Sequence, residues 1–168
     1  MAFLALLVVN HISLDGVLQG PARPDEDTRG GLRHGSWAQQ AIDPAMGAAM
    51  GERMGQEFSR LFGRRSYDDM LSHWNEVGGP FKDGLDQTRK YVASSAPDAD
   101  LSWPNSTLLS GNVPADIAAL REQLGELYLH VGVDVGRLAN AARLDRTGGA
   151  SWIALVFAGK IGRRDTET

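Results

Sequence analysis

The sequence predicts an α/β domain built on a mostly parallel central sheet flanked by helices. Three observations lead there. Residues 3–10 (FLALLVVN) form a continuous apolar run without alternation, the pattern of a strand covered on both faces. Further short strand-like runs recur at 58–63, 90–95, 106–111, 126–132 and 151–158. Segments of helical length and periodicity separate several of these runs, which implies a largely parallel arrangement.

Composition sets the outer limits. A chain of 168 residues reads as one domain, residues 1–168, and 42% hydrophobic residues are enough to fill a core. The net charge of −4 argues against a nucleic-acid surface of the basic-patch kind. With no cysteine, disulfides, thiolate metal sites and thiol nucleophiles are excluded, which suits a cytoplasmic location. The apolar start lacks a basic n-region and is interrupted by His11 and Asp15, so a buried strand is expected there rather than a leader or a membrane span.

After the first strand comes a Gly-, Pro-, Asp- and Arg-rich stretch, DGVLQGPARPDEDTRGGLRHGSWAQQ. A loop this long in a compact domain is usually functional or disordered, and Val17, Leu18 and Trp37 favour an ordered loop that covers a site. Its acidic triplet, Asp25-Glu26-Asp27, reads as a solvated tip. Asp43 is a good N-cap and Pro44 suits a first turn, with Met46, Met50, Met54 and Phe58 as one core-facing stripe of the helix that follows. After the strand at 58–63, Ser66 can cap a helix running to about Trp74. Ile117, Leu120 and Leu124 mark a helix over 113–124, and Val135, Leu138, Ala139 and Ala142 another.

Ligands of open α/β sheets bind beyond the carboxyl ends of the strands, and three such ends carry anion-binding chemistry. In Gly63-Arg64-Arg65-Ser66, glycine admits a close backbone approach while a helix N-terminus and two guanidiniums supply positive charge. The alternative is that Arg64 and Arg65 simply pair with Asp68 and Asp69 on the surface; the residues alone weigh equally for both. Ser94 and Ser95 end the strand at 90–95, and Gly132 lies in the glycine-flanked turn HVGVDVG. Three neighbouring anion signals together point to an extended nucleotide. Asp15 is the candidate for proton transfer, and the four histidines lack metal-ligand spacing, so no metal is expected.

Four segments in order, SLDGVLQGPARPDEDTRGGLRHGSWA, GRRSYDDM, KYVASS and WPNSTLLSG, resemble the bacterial dihydrofolate-reductase-like proteins. Among these the C-terminal reductase domain of the riboflavin-biosynthesis deaminase–reductase is the most similar, over residues 1 to about 130. The resemblance implies a dihydrofolate-reductase-like fold, NADPH as cofactor and hydride transfer to a pteridine-like or pyrimidine-like heteroaromatic ring. It sets Arg64 and Arg65, with Gly63 and Ser66, against the cofactor's phosphates, and Ser94 and Ser95 near its 2′-phosphate. Leu18 and Gln19 would cover the nicotinamide, with Trp37 and Asp15 toward the substrate. On that basis the arginine pair is expected to be a phosphate clamp. The C-terminal third departs from the pattern, with HVGVDVG, DRTGGASW and AGKIGRR replacing the usual turns. Truncated or diverged terminal strands are therefore expected, with a homodimer as one means of supplying them. The same departure motivates an alternative, a non-catalytic nucleotide- or small-molecule-binding protein on the same fold.

Overall fold

The computed structural model describes residues 5–13, 17–41, 43–45, 48, 59–124, 126–130 and 151–157. The contacts divide the chain into two compact units, Met1–Val9 with Met54–Ile153, and Asn10–Arg53 with Ala154–Thr168.

The first unit is organised by the sheet. The strands are β1 (Ala5–Ser13), β2 (Ser59–Gly63), β3 (Lys90–Ala93), β4 (Ser106–Leu109), β5 (Glu126–His130) and β6 (Ser151–Phe157), in the order β4-β3-β2-β5-β1-β6, and residues 10–13 of β1 and 154–157 of β6 fall in the second unit. The pairs β1/β5, β2/β5, β2/β3 and β3/β4 are all parallel, as the apolar runs imply. Helices α1 (Arg64–Val77) and α2 (Pro80–Gln87) connect β2 to β3, and α3 (Val113–Gln123) connects β4 to β5. The β3–β4 connection, residues 94–105, contains no helix.

Two details depart from the sequence reading. Helix α1 begins at Arg64, not after Ser66, because Gly63 in extended backbone (φ −75°, ψ 152°) is itself the N-cap and the strand passes directly into the helix. Helix α2 has no counterpart among the sequence expectations. Its signal is Gly78-Gly79-Pro80: Gly78 at φ 68° ends α1 with its N–H on the Trp74 carbonyl, and Pro80 opens α2 where a missing N–H costs nothing.

The core of this unit lies between the sheet and the two helices. Tyr67, Met70, Leu71 and Trp74, at i, i+3, i+4 and i+7, form the inward stripe of α1. They pack with Phe62, Leu85, Val92, Trp103, Phe81 and Leu101. Tyr67 is the hub: its ring meets Phe62 edge-on at 6.1 Å and Trp103 at 5.8 Å, while its hydroxyl accepts from the Trp103 N–H at 2.8 Å and lies 3.0 Å from Ser106 Oγ.

At the amino ends of the strands the core takes in two cations, Arg60 and Lys90, register partners on β2 and β3 and both essentially unexposed. Lys90 Nζ donates to the carbonyls of Leu85 and Thr88, so the lysine ties the last turn of α2 to β3. Asp86 is held by Lys82 Nζ and Trp103 Nε1, both at 2.5 Å, which lowers its pKa. Desolvation lowers Lys90 to about 8, with Asp86 opposing and Arg60 reinforcing the shift. Above pH 8 folded Lys90 sheds its proton, whereas the unfolded chain keeps it to 10.5, so stability increases with pH across that window. The expected gain is at most about 3 kcal/mol. Urea unfolding at pH 8 and pH 10.5 should show it in the native chain and not in Lys90→Met; equal pH slopes in the two would contradict it.

The second unit contains an ordered loop. Asp27 is buried and grips Arg29, with Nε to Oδ1 at 2.9 Å, Nη2 to Oδ2 at 2.6 Å and the Arg29 N–H to Oδ1 at 3.1 Å. Gln19 Nε2 bonds the carbonyls of Asp27 (2.9 Å) and Arg29 (2.7 Å), and Trp37 Nε1 bonds the Gln19 carbonyl (2.9 Å). Glu26 accepts from the Ala22 N–H at 2.7 Å. Of the acidic triplet, then, only Asp25 is fully exposed; Glu26 and Asp27 are structural, which corrects the expectation of a solvated tip. Gly35 lies so close to Pro24 that a Cβ would meet its Cα at 2.6 Å. Asp43 caps as the sequence indicates, accepting from the Ala45 N–H at 2.6 Å. Met46, Met50, Met54, Phe58 and the helix expected around 135–142 lie outside the described residues.

Candidate functional site

The parallel register brings the first two anion-binding signals together. Gly63 on β2 pairs with Ala93 on β3, and Ala93 with Leu109 on β4. All three strands therefore end at one rim, where Arg64-Arg65-Ser66 follows β2, Ser94-Ser95 follows β3 and Ser110-Gly111-Asn112 follows β4. Two helices start from the same rim. Helix α1, 14 residues long, directs its N-terminal amides there behind a glycine cap that has no side chain to cover them. Helix α3 starts behind Asn112, whose Oδ1 accepts from the Ala115 N–H at 3.3 Å.

The side chains at this rim are accessible. Arg65 and Ser95 are exposed, and Gly63, Arg64, Ser66 and Ser94 are half-buried. Ser94 extends the ladder by donating its N–H to the Leu109 carbonyl at 3.0 Å. Its Oγ accepts from the Ala96 N–H at 3.1 Å, an arrangement that leaves the hydroxyl proton for an outside acceptor. Arg64 is held on two sides: Nε donates to Asp68 Oδ2 at 2.8 Å, and Nη1 donates to the Asp100 carbonyl at 2.7 Å. The Asp68 bond raises the guanidinium pKa, so the positive charge is permanent. The i,i+4 pairing foreseen as the alternative for Arg64 is thus present, within a rim that also has the makings of an anion site.

The other sequence-derived candidates fall elsewhere. Leu18, Gln19 and Trp37 are together in the ordered loop of the second unit, where the Trp37 indole bonds the Gln19 carbonyl and the Gln19 amide is engaged by Asp27 and Arg29. Asp15 and Gly132 lie outside the described residues. Asp100 was not singled out from the sequence, since a backbone acceptor in an irregular connection leaves no sequence signal. Among the described residues no group of three or more His, Asp or Glu is placed to hold a metal ion. No helix among them is long and apolar enough to cross a membrane.

No protein-family model matches the chain, and no curated protein matches it. Solved structures do. A protein assigned to riboflavin biosynthesis from Shewanella sp. PV-4 is similar at a TM-score of 0.54 and 23% identity, over 81% of this chain and 70% of that one. The dihydrofolate reductase of Enterococcus faecalis, in a complex with NADP(H) and RAB-propyl, is similar at a TM-score of 0.52 and 14% identity, over 94% of this chain and 76% of that one. Identities this low speak to architecture. With its parallel β4-β3-β2-β5-β1 core flanked by helices, the chain has the dihydrofolate-reductase-like α/β fold.

Proposed function

We propose that the protein is an NADPH-dependent reductase that delivers hydride to a pteridine-like or pyrimidine-like heteroaromatic substrate. The observation that carries this reading is the in-register convergence of Gly63–Ser66 and Ser94–Ser95 at one rim of a fold shared with an NADP(H)-bound reductase. The donor set there fits a phosphorylated dinucleotide: two guanidiniums, the amide end of a long helix and serine hydroxyls, all clustered at adjacent strand ends. Bound NADPH supplies the hydride. In this reading the chain's own part is to hold the cofactor's phosphates at Gly63, Arg64, Arg65 and Ser66 and to orient its adenosine end against Ser94 and Ser95. Leu18, Gln19 and Trp37 are proposed to face the nicotinamide and substrate, and Asp15 to polarise the ring or relay a proton.

A second reading is a non-catalytic nucleotide-binding protein on the same fold. It is favoured by the state of Arg64, which already has two internal partners. One pair of measurements separates the two. On the reductase reading NADPH raises the melting temperature, and absorbance at 340 nm then falls when a member of a pteridine and pyrimidinone panel is added. Binding with steady absorbance across the panel favours the second reading. No thermal shift with NADPH overturns the cofactor assignment.

A further inference from the structure

We infer that Asp68 sets how strongly this rim favours a dinucleotide with a 2′-phosphate over one without it. The inference rests on the NADPH reading above. A guanidinium can grip a phosphate with two prongs through either of two edges, Nε with Nη2 or Nη1 with Nη2. In this structure Asp68 takes the single N–H of Nε, so the Nε–Nη2 edge has lost one prong, and the Asp100 carbonyl takes one N–H of Nη1. A phosphate approaching Arg64 from the Nε side meets Nη2 alone. Two-pronged contact on that edge, or the full donor set of Nη1, requires one of the present partners to let go.

The two partners differ in how readily they can do so. The Asp100 carbonyl belongs to the backbone of the 94–105 connection, which also carries Ser94 and Ser95 at the rim, so releasing it would disturb other parts of the site. Asp68 is a short side chain on the outer face of the first turns of α1, 48% exposed, and it can rotate into water without moving any backbone. Asp68 is also a full negative charge within hydrogen-bonding distance of the group that would receive the phosphate, so it opposes a 2′-phosphate by repulsion as well as by occupancy. A dinucleotide lacking that phosphate needs neither concession. Asp68 thus lowers the advantage of NADPH over NADH.

The test is a titration of NADPH and NADH, at one fixed ionic strength, against the full chain and its Asp68→Asn, Asp68→Glu and Arg64→Ala variants. Asp68→Asn keeps the side-chain shape and removes the charge. Its NADPH affinity is expected to rise by about three- to five-fold, the scale of an exposed ion pair, with a much smaller rise for NADH. Asp68→Glu, which keeps the charge, should retain the parental NADPH/NADH ratio. With Arg64→Ala in the background, Asp68→Asn should no longer raise the ratio, because the carboxylate acts through that guanidinium. A purely helix-stabilising Asp68 would lower the melting temperature on substitution and leave the ratio alone; an unchanged or smaller ratio in Asp68→Asn overturns the inference. Absence of NADPH binding by every variant, the parent included, would instead overturn the reductase reading on which the inference stands.

Discussion

Replacing Tyr67 by alanine is expected to cost about 3–5 kcal/mol of unfolding free energy, the scale of deleting a buried aromatic. The ring is fully buried between Phe62 and Trp103, so its loss leaves a cavity bounded by both aromatics. The hydroxyl adds a second and separable loss. It accepts from the buried Trp103 N–H and lies beside Ser106, linking α1 to the β3–β4 connection and to the first residue of β4. Tyr67→Phe keeps the ring and orphans the Trp103 N–H, for an expected cost of about 1–3 kcal/mol. Urea denaturation of the two variants checks the division. A Phe variant as stable as the parent would show that water satisfies the Trp103 amide, and an Ala variant within about 1 kcal/mol of the parent would contradict the assignment of Tyr67 as the hub.

How much of this could be read from the sequence differs from element to element. Residues 5–10 of the unbroken apolar run are on β1, and the runs at 58–63, 90–95, 106–111, 126–132 and 151–158 each overlap a strand. Parallel order was legible because helical segments separate several of the strands. Tyr67 was not singled out: its stripe with Met70, Leu71 and Trp74 is interrupted in the sequence by the exposed Asp68 and the half-buried Asp69. Helix α2 was missed because it is short: PFKDGLDQ holds three charges and a glycine, and its apolar face is the single i,i+4 pair Phe81 and Leu85. The burial of Arg60 and Lys90 is a tertiary outcome, set by what packs over the strand starts, and single-residue preferences point the other way.

At the candidate site the residue types were legible and their engagements only in part. The spacing of Arg64 and Asp68 announces an i,i+4 pair, and the strand ends announce a shared rim. The Asp100 carbonyl could not be foreseen, because it reaches Arg64 from 36 positions along the chain through the backbone of an irregular connection. In the long loop, Asp27 passed for a solvated acid. Only the folded arrangement shows it buried against Arg29 and Gln19.

The double replacement Arg64→Ala with Arg65→Ala carries the largest expected effect on function. Two guanidiniums leave a rim that gathers helix-terminal amides and serine hydroxyls but has no other full positive charge at the β2, β3 and β4 ends among the described residues. Charge-assisted bonds to a phosphate contribute about 1.5–3 kcal/mol each, so NADPH affinity should fall by about 100-fold or more. The single variants apportion the loss between the half-buried Arg64 and the exposed Arg65. NADH affinity should fall much less, because the 2′-phosphate is the charge these side chains would meet beyond the pyrophosphate common to both cofactors. Melting temperature should change little, as neither arginine belongs to the aromatic core. The measurement that tests the central claim most directly is therefore the NADPH-to-NADH affinity ratio of this double variant against the parent. A ratio that collapses toward one places the phosphate at the β2–β3 rim, and a ratio equal to the parent's contradicts it.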